Sequence, residues 1–227
     1  MFQDFLALIY PRNCVACGNY LFKHENQICN YCYLNLPKLH FHQQAQNPLE
    51  DLFYGRVNVE FAASYYLFHK KGNVQKLLHA IKYKGNKQLA KLLGVWFGKY
   101  LSDEDRLKTA DYILPVPLHE KKMKQRGYNQ SEEFAKGLSE VLNLKIDNTY
   151  LQRKNYTMTQ TSKSKYERWE NVEEVFVLNN PDVLKNKHVV LVDDVITTGA
   201  TLGACCNALN KVEGIKISLL SIACATK

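Results

Sequence analysis

No stretch of this chain is apolar for long enough to cross a bilayer. The apolar opening, residues 1–10, is far shorter than the ~20 residues a membrane helix needs. It also lacks a basic leading region and an A-x-A-like cleavage site. Membrane insertion and export are therefore not expected, and the chain reads as cytosolic. No run of consecutive basic residues exceeds two, which excludes a continuous polybasic stripe. No internal repeat is visible, so a stacked repeat architecture is excluded. Neither G-x-G-x-x-G nor a glycine loop followed by Lys-Ser/Thr occurs, so the two commonest nucleotide-phosphate loops are missing.

What is present fits one ordinary domain with a small accessory module. The 227 residues are 46% hydrophobic and 23% charged, enough to bury a core. Thirty Lys and Arg against 22 Asp and Glu leave a net charge of +8. That surplus suits phosphate ligands, small or polymeric; it equally suits a merely lysine-rich cytosolic protein.

The seven cysteines are unevenly spread. Cys14-x₂-Cys17 and Cys29-x₂-Cys32 form two knuckles, a spacing that brings four thiolates to the corners of a tetrahedron in a closed structural zinc site. An iron–sulfur cluster or a redox pair are the rival readings. His24, between the knuckles, is superfluous once four cysteines are counted. A module this small has too little core to fold unaided, and metal supplies the missing stability. Cys205, Cys206 and Cys224 lie on apolar faces and read as packed thiols. The expected division is a four-cysteine module over residues 1–48, with the polar stretch 40–47 and Pro48 as its linker, and a second domain over residues 49–227.

Residues 57–68, rich in β-branched and aromatic types, read as strand or hairpin. Val74, Leu77, Leu78 and Ile81 repeat at helical spacing, as do Leu89, Leu92, Leu93, Trp96, Phe97 and Tyr100, with Gly85 as the stop between them. Residues 112–117 (YILPVP) read as a buried strand entering a rigid loop, and Phe134, Leu138, Val141 and Leu142 line one face of the next helix. Residues 157–165 have almost no apolar content and are expected to be mobile without ligand. Residues 188–192 read as a strand, 193–200 as a loop, 201–211 as a helix and 215–225 as a last buried strand. Strands alternating with helices from Tyr112 onward point to an α/β fold with a parallel sheet covered on both faces.

The string V-V-L-V-D-D-V-I-T-T-G-A-T at residues 189–201 carries the most chemistry. A buried strand ending in Asp193 and Asp194 sets two carboxylates at its carboxyl edge, where open α/β sheets bind ligands. Thr197, Thr198 and Thr201 offer hydroxyls, Gly199 admits close backbone approach, and the following helix N-terminus offers free N–H groups, a cradle for a phosphate.

This string resembles the binding signature for 5-phosphoribosyl-1-diphosphate (PRPP) of type I phosphoribosyltransferases. The resemblance implies that fold, with Asp193 and Asp194 holding the ribose hydroxyls. It further implies a loop of Val195, Ile196, Thr197, Thr198, Gly199, Ala200 and Thr201 around the 5′-phosphate. Magnesium, in that family, bridges the diphosphate and ribose oxygens. Lys82-Tyr83-Lys84-Gly85, Pro115-Val116-Pro117-Leu118, Arg126-Gly127-Tyr128-Asn129-Gln130 and then Thr157, Gln160, Arg168 and Asn171 resemble, in their order, the ComF family of late-competence and GntX-like proteins. That likeness implies a diphosphate loop at Pro115, Val116, Pro117, Leu118 and Arg126, and a flexible closing loop carrying Thr157, Gln160, Arg168 and Asn171. It also implies a role in natural transformation, with single-stranded DNA and a helicase-like partner. Lys121, Lys122 and Lys124 read equally as compensation for a diphosphate and as a solvated face. A PRPP sensor without turnover, and a phosphoribosyltransferase whose acceptor the sequence does not name, are both compatible with these residues.

Overall fold

Strands covered on both faces lose the alternating pattern and become continuously apolar, and that is how the central strands of this chain read. The structure is a computed structural model and describes residues 12–44, 47–154 and 175–225. Among them, β1 (Phe61–Leu67), β2 (Tyr112–Pro115), β3 (Lys145–Ile146), β6 (His188–Ile196) and β7 (Lys216–Cys224) form one parallel sheet. Its strand order is β1-β7-β6-β2-β3. β4 (Leu151–Arg153) and β5 (Phe176–Leu178) make a separate antiparallel pair.

Two apolar layers sandwich the sheet. One takes α3 (Asn73–Tyr83), α4 (Lys87–Tyr100) and α6 (Gln130–Leu142) through Leu77, Ile81, Leu93, Phe97, Phe134 and Leu138. The other takes α7 (Ala200–Leu209) through Leu202, Cys205 and Leu209, packed on Leu114, Leu191 and Leu219. Helices α4 and α6 touch backbone to backbone. A Cβ on Gly94 would lie 2.2 Å from the Phe134 carbonyl oxygen, and one on Gly137 2.0 Å from that of Lys91, so the crossing tolerates no side chain at either position.

The cysteine segment, which ends in the short helix α1 (Asn30–Asn35), shares the first of these layers. Cys14, Ala16, Ile28, Cys32 and Leu36 are buried in the same cluster as α3 and α4. Lys76 Nζ donates to the Ala16 carbonyl at 3.0 Å, and the Tyr33 ring meets Trp96 edge-on at 4.5 Å. Leu39 N–H donates to Tyr65 O (2.9 Å) and Leu67 N–H to Pro37 O (2.8 Å), so the chain just after α1 covers the edge of β1.

Three expectations need correction. Polar composition marks residues 40–47 as a linker, yet the described part is docked: His40 and His42 pack against the Tyr100 ring at 5.6 and 5.0 Å. Asn47 is buried, capping α2 (Pro48–Asp51) and donating to the Ala62 carbonyl at 2.7 Å. The strand expected from Val57 begins at Phe61. The strand expected to stop at Val192 continues to Ile196, because β7 keeps pairing with it (Val195 with Ala223, Ile196 with Cys224), which leaves only residues 197–199 as loop before α7.

Candidate functional site

Asp193 and Asp194 lie near the carboxyl end of β6, the central strand of the sheet, with the β2 terminus beside them. Pro115 pairs with Val192, and Val116 N–H donates to Val192 O at 2.9 Å. The two carboxylates have different surroundings. Asp193 Oδ1 accepts from the Ser131 hydroxyl (3.1 Å) at the start of α6 and from the Asp194 amide (2.8 Å). Burial, and then the charge of Asp194, pushes the Asp193 carboxyl up to about 7. Asp194 is buried and pairs with Lys82 Nζ at 2.9 Å. It is therefore not at the open solvent edge that a strand ending at Val192 implies.

Beyond the pair, the chain curls around a hollow of about 40 Å³ lined by Asp193 and residues 195–202. Ile196 is buried, so its contribution to this rim is backbone, whereas Thr197, Thr198 and Thr201 are exposed. Gly199 makes the turn at φ +72°, and a Cβ there would stand 2.9 Å from Phe53 Cε1. Backbone conformation and the Phe53 ring thus both require glycine. Gly199 at the N-cap brings no side chain to α7, and Thr198 Oγ1 accepts from the Ala200 amide at 3.4 Å, so the rest of the first turn retains capacity for an anion.

The Arg-Gly-Tyr-Asn-Gln segment locks the neighbouring loop. Helix α5 (Glu120–Arg126) ends at Gly127. The Tyr128 hydroxyl then donates to the Ile81 carbonyl. Asn129 caps α6 by accepting from Ser131 N–H (3.1 Å) and donates to the Val116 carbonyl (3.0 Å). Gln130 Oε1 accepts from Arg126 Nη1 at 2.7 Å, while the buried Arg126 Nε has no partner among the described residues. Pro115 and Val116 thereby stand beside Val192 on β6 and Arg126 is tied to Gln130 at the start of α6, while Pro117 and Leu118 follow in the loop ahead of α5. Lys121, Lys122 and Lys124 are exposed on α5. Thr157, Gln160, Arg168 and Asn171 lie outside the described residues.

Residues 129–226 match the family model described as the phosphoribosyl transferase domain. That model takes in somewhat less than half of the chain. The chain is 38% identical over 118 residues to Competence protein F of Haemophilus influenzae, covering 49% of this chain and 50% of that protein. It is 32% identical over 129 residues to DNA utilization protein YhgH of Escherichia coli K12, covering 56% of each. The chain thus spans about half the length of the curated relatives it matches. A solved structure, glutamine PRPP amidotransferase from B. subtilis complexed with ADP and GMP, is similar at 21% identity and a TM-score of 0.40, covering 57% of this chain and 25% of that one.

The matched phosphoribosyl transferase span starts at the α6 cap and includes the acid pair, but Lys82 and the β2 loop come from chain before it. Sequence reading singled out neither Ser131 nor Lys82 as partners of the pair. The only signal for them was position: Ser131 directly follows the Gln130 of one motif, and Lys82 opens another.

The second candidate site is the cysteine cluster. The Sγ atoms of Cys14, Cys17, Cys29 and Cys32 all lie within 4.8 Å of one another, and Cys17 to Cys29 is 3.8 Å. Four thiolates at about 2.3 Å from one tetrahedral ion stand about 3.8 Å apart, so the set fits a structural metal. The Cys29 amide donates to Cys14 Sγ at 3.3 Å. Burial opposes ionisation of Cys14, but the amides of Cys17, Cys29 and Ala16 outweigh it and hold the thiol down at about 7. Glu25, buried between the knuckles, accepts from the Phe22 and Asn30 amides (2.8 and 2.7 Å) and fixes the turn. His24 contacts Asn30 and is not in the cluster. Cys205, Cys206 and Cys224 are buried core thiols, each held above its ordinary pKa by burial. Among the described residues no helix is long and apolar enough to cross a membrane.

Proposed function

We propose that this is a ComF-type protein that binds PRPP, or a closely related phosphoribosyl ligand, together with magnesium. The observation that carries the reading is the acid pair followed after two intervening residues by a threonine–glycine loop wrapped around a small hollow at the N-terminus of α7. Asp193 and Asp194 hold the ribose hydroxyls. The amides and hydroxyls of residues 197–201 take the 5′-phosphate, and Pro115, Val116, Pro117, Leu118 and Arg126 face the diphosphate. Magnesium bound with the ligand offsets diphosphate charge, and zinc closes the four-cysteine cluster. Seven cysteines without a disulfide among them fit a reducing, cytosolic compartment.

Hydrogen exchange tests the loop assignment. Magnesium-PRPP is expected to slow exchange at the amides of residues 197–203 selectively, while the knuckles at 14–32 stay unchanged. Protection confined to another segment counts against it. A parallel assay for released diphosphate separates a transferase from a sensor.

The relatives named for competence and DNA utilization favour a second, compatible role in handling single-stranded DNA, with a helicase-like partner. A cleft of about 730 Å³ between the first knuckle and α3 supports direct contact: it is lined by Lys71, Lys76, His79 and Lys84, with no carboxylate among the described residues of its walls. Binding there is expected to fall steeply with salt and to show little sequence preference, and reversing Lys71 and Lys84 to Glu is expected to flatten the salt slope by at least about 1.4. Filter binding from about 50 to 300 mM salt checks this; no retention even at low salt leaves only a partner-mediated role.

A further inference from the structure

The acid pair already has a cation within the protein. Lys82 Nζ stands 2.9 Å from Asp194 Oδ1, with side chains only 19% and 12% exposed. The last turn of α3 that carries Lys82 is pinned from several directions. The Tyr128 hydroxyl donates to the carbonyl of Ile81, the Lys84 amide closes the helix on Ala80 O at 3.1 Å, and the Arg126 guanidinium lies over the Tyr83 ring at 5.6 Å. An ammonium that extends from a fixed helix end and is already paired with Asp194 loses little further freedom when a ligand arrives.

Charge makes the contact consequential. Two adjacent carboxylates must receive a ligand that is itself multiply anionic, and bound cations are ordinarily what offsets such repulsion. Here one of the two charges is met by a side chain before any ion arrives.

We propose that Lys82 is a positioning residue of the phosphoribosyl site: it is the built-in counter-charge of the acid pair, and it lowers the site's dependence on a divalent cation for ligand docking. The inference rests on the phosphoribosyl reading above. Lys82 acts on the ligand through Asp194, which it holds in place, and through Asp193, whose proton it helps to release. The other titratable groups facing the pair are Cys205 from α7 and Tyr128 ahead of α6, both held above their ordinary pKa chiefly by burial.

Two variants and two readouts test it. Calorimetric titration with PRPP, in magnesium and again in EDTA, is made on wild type, Lys82→Met and Lys82→Arg. Chelation is expected to cost Lys82→Met at least about tenfold more affinity than it costs wild type, the scale of one lost charge-assisted contact, while Lys82→Arg tracks wild type. Independently of any ligand, the Asp193 carboxyl midpoint read by carbon-13 NMR is expected to rise in Lys82→Met and stay put in Lys82→Arg. A structural role alone moves neither quantity. Wild type that binds no PRPP overturns the phosphoribosyl reading, and this role with it. Wild type that binds, beside a folded Lys82→Met with unchanged magnesium dependence and Asp193 midpoint, overturns the role of Lys82 alone. If Lys82→Met does not fold, the wild type still decides, since an absolute magnesium requirement contradicts the proposal.

Discussion

Replacing Cys29 by serine is expected to strip the metal from the four-cysteine cluster and to loosen α3 and α4 along with it. Cys29 is buried, 3.8 Å from Cys17 Sγ, and its amide supports Cys14. Structural zinc supplies small modules with an apparent 10–16 kcal/mol, roughly, at neutral pH. In a module standing alone, losing it unfolds the module and nothing else. Here Cys14, Ala16, Ile28, Cys32 and Leu36 are part of the apolar layer that covers α3 and α4, so the loss spreads. Wild type should carry about one zinc per chain, and the variant far less. A loss of at least about 3 kcal/mol corresponds to roughly 6–12 °C in melting temperature for a chain of this size. Hydrogen exchange should quicken in both helices while β6 and β7 remain protected. A variant with wild-type metal content and melting contradicts the assignment, and visible iron absorption contradicts zinc.

How much of this was legible depended on whether the cause was local. The face Val74, Leu77, Leu78 and Ile81 is buried as its spacing demands. On α4, Leu89, Leu93 and Phe97 are buried, while Leu92, Trp96 and Tyr100 are partly covered, Trp96 against the Tyr33 ring and Tyr100 against the His40 ring. The strand–loop–helix at residues 188–209 was readable because its apolar run, its carboxylates and Gly199 each signal through their own chemistry. Its strand end was not, because Val195 and Ile196 stay in the sheet through partners on β7. The polar segment near residue 40 looks like a linker in composition, and only the Tyr100 ring and the Ala62 carbonyl make it a packed element. The partners of the acid pair were hidden for the same reason: nothing local to Lys82 points to Asp194.

Neutralising the acid pair is expected to abolish most PRPP affinity without unfolding the protein. Asparagine is the replacement to use, because alanine at position 194 would leave Lys82 partly buried without its partner. An asparagine at each position keeps a neutral acceptor there. A charge-assisted hydrogen bond is worth about 1.5–3 kcal/mol and a neutral one about half as much, so the double replacement loses about 1.5–3 kcal/mol in all. That is roughly a tenfold to hundredfold fall in affinity. Asp193 is the less comfortable of the two in the free protein, since burial and the charge of Asp194 oppose its ionisation, so replacing it relieves a cost that the native site bears for its ligand.

Isothermal titration of magnesium and PRPP into the folded wild type, beside the Asp193→Asn/Asp194→Asn double variant, tests the central claim most directly. The expected result is saturable binding at one site per chain in the wild type, and affinity at least about tenfold weaker in a double variant of unchanged circular dichroism. Equal binding by both proteins, or none by a well-folded wild type, would contradict it.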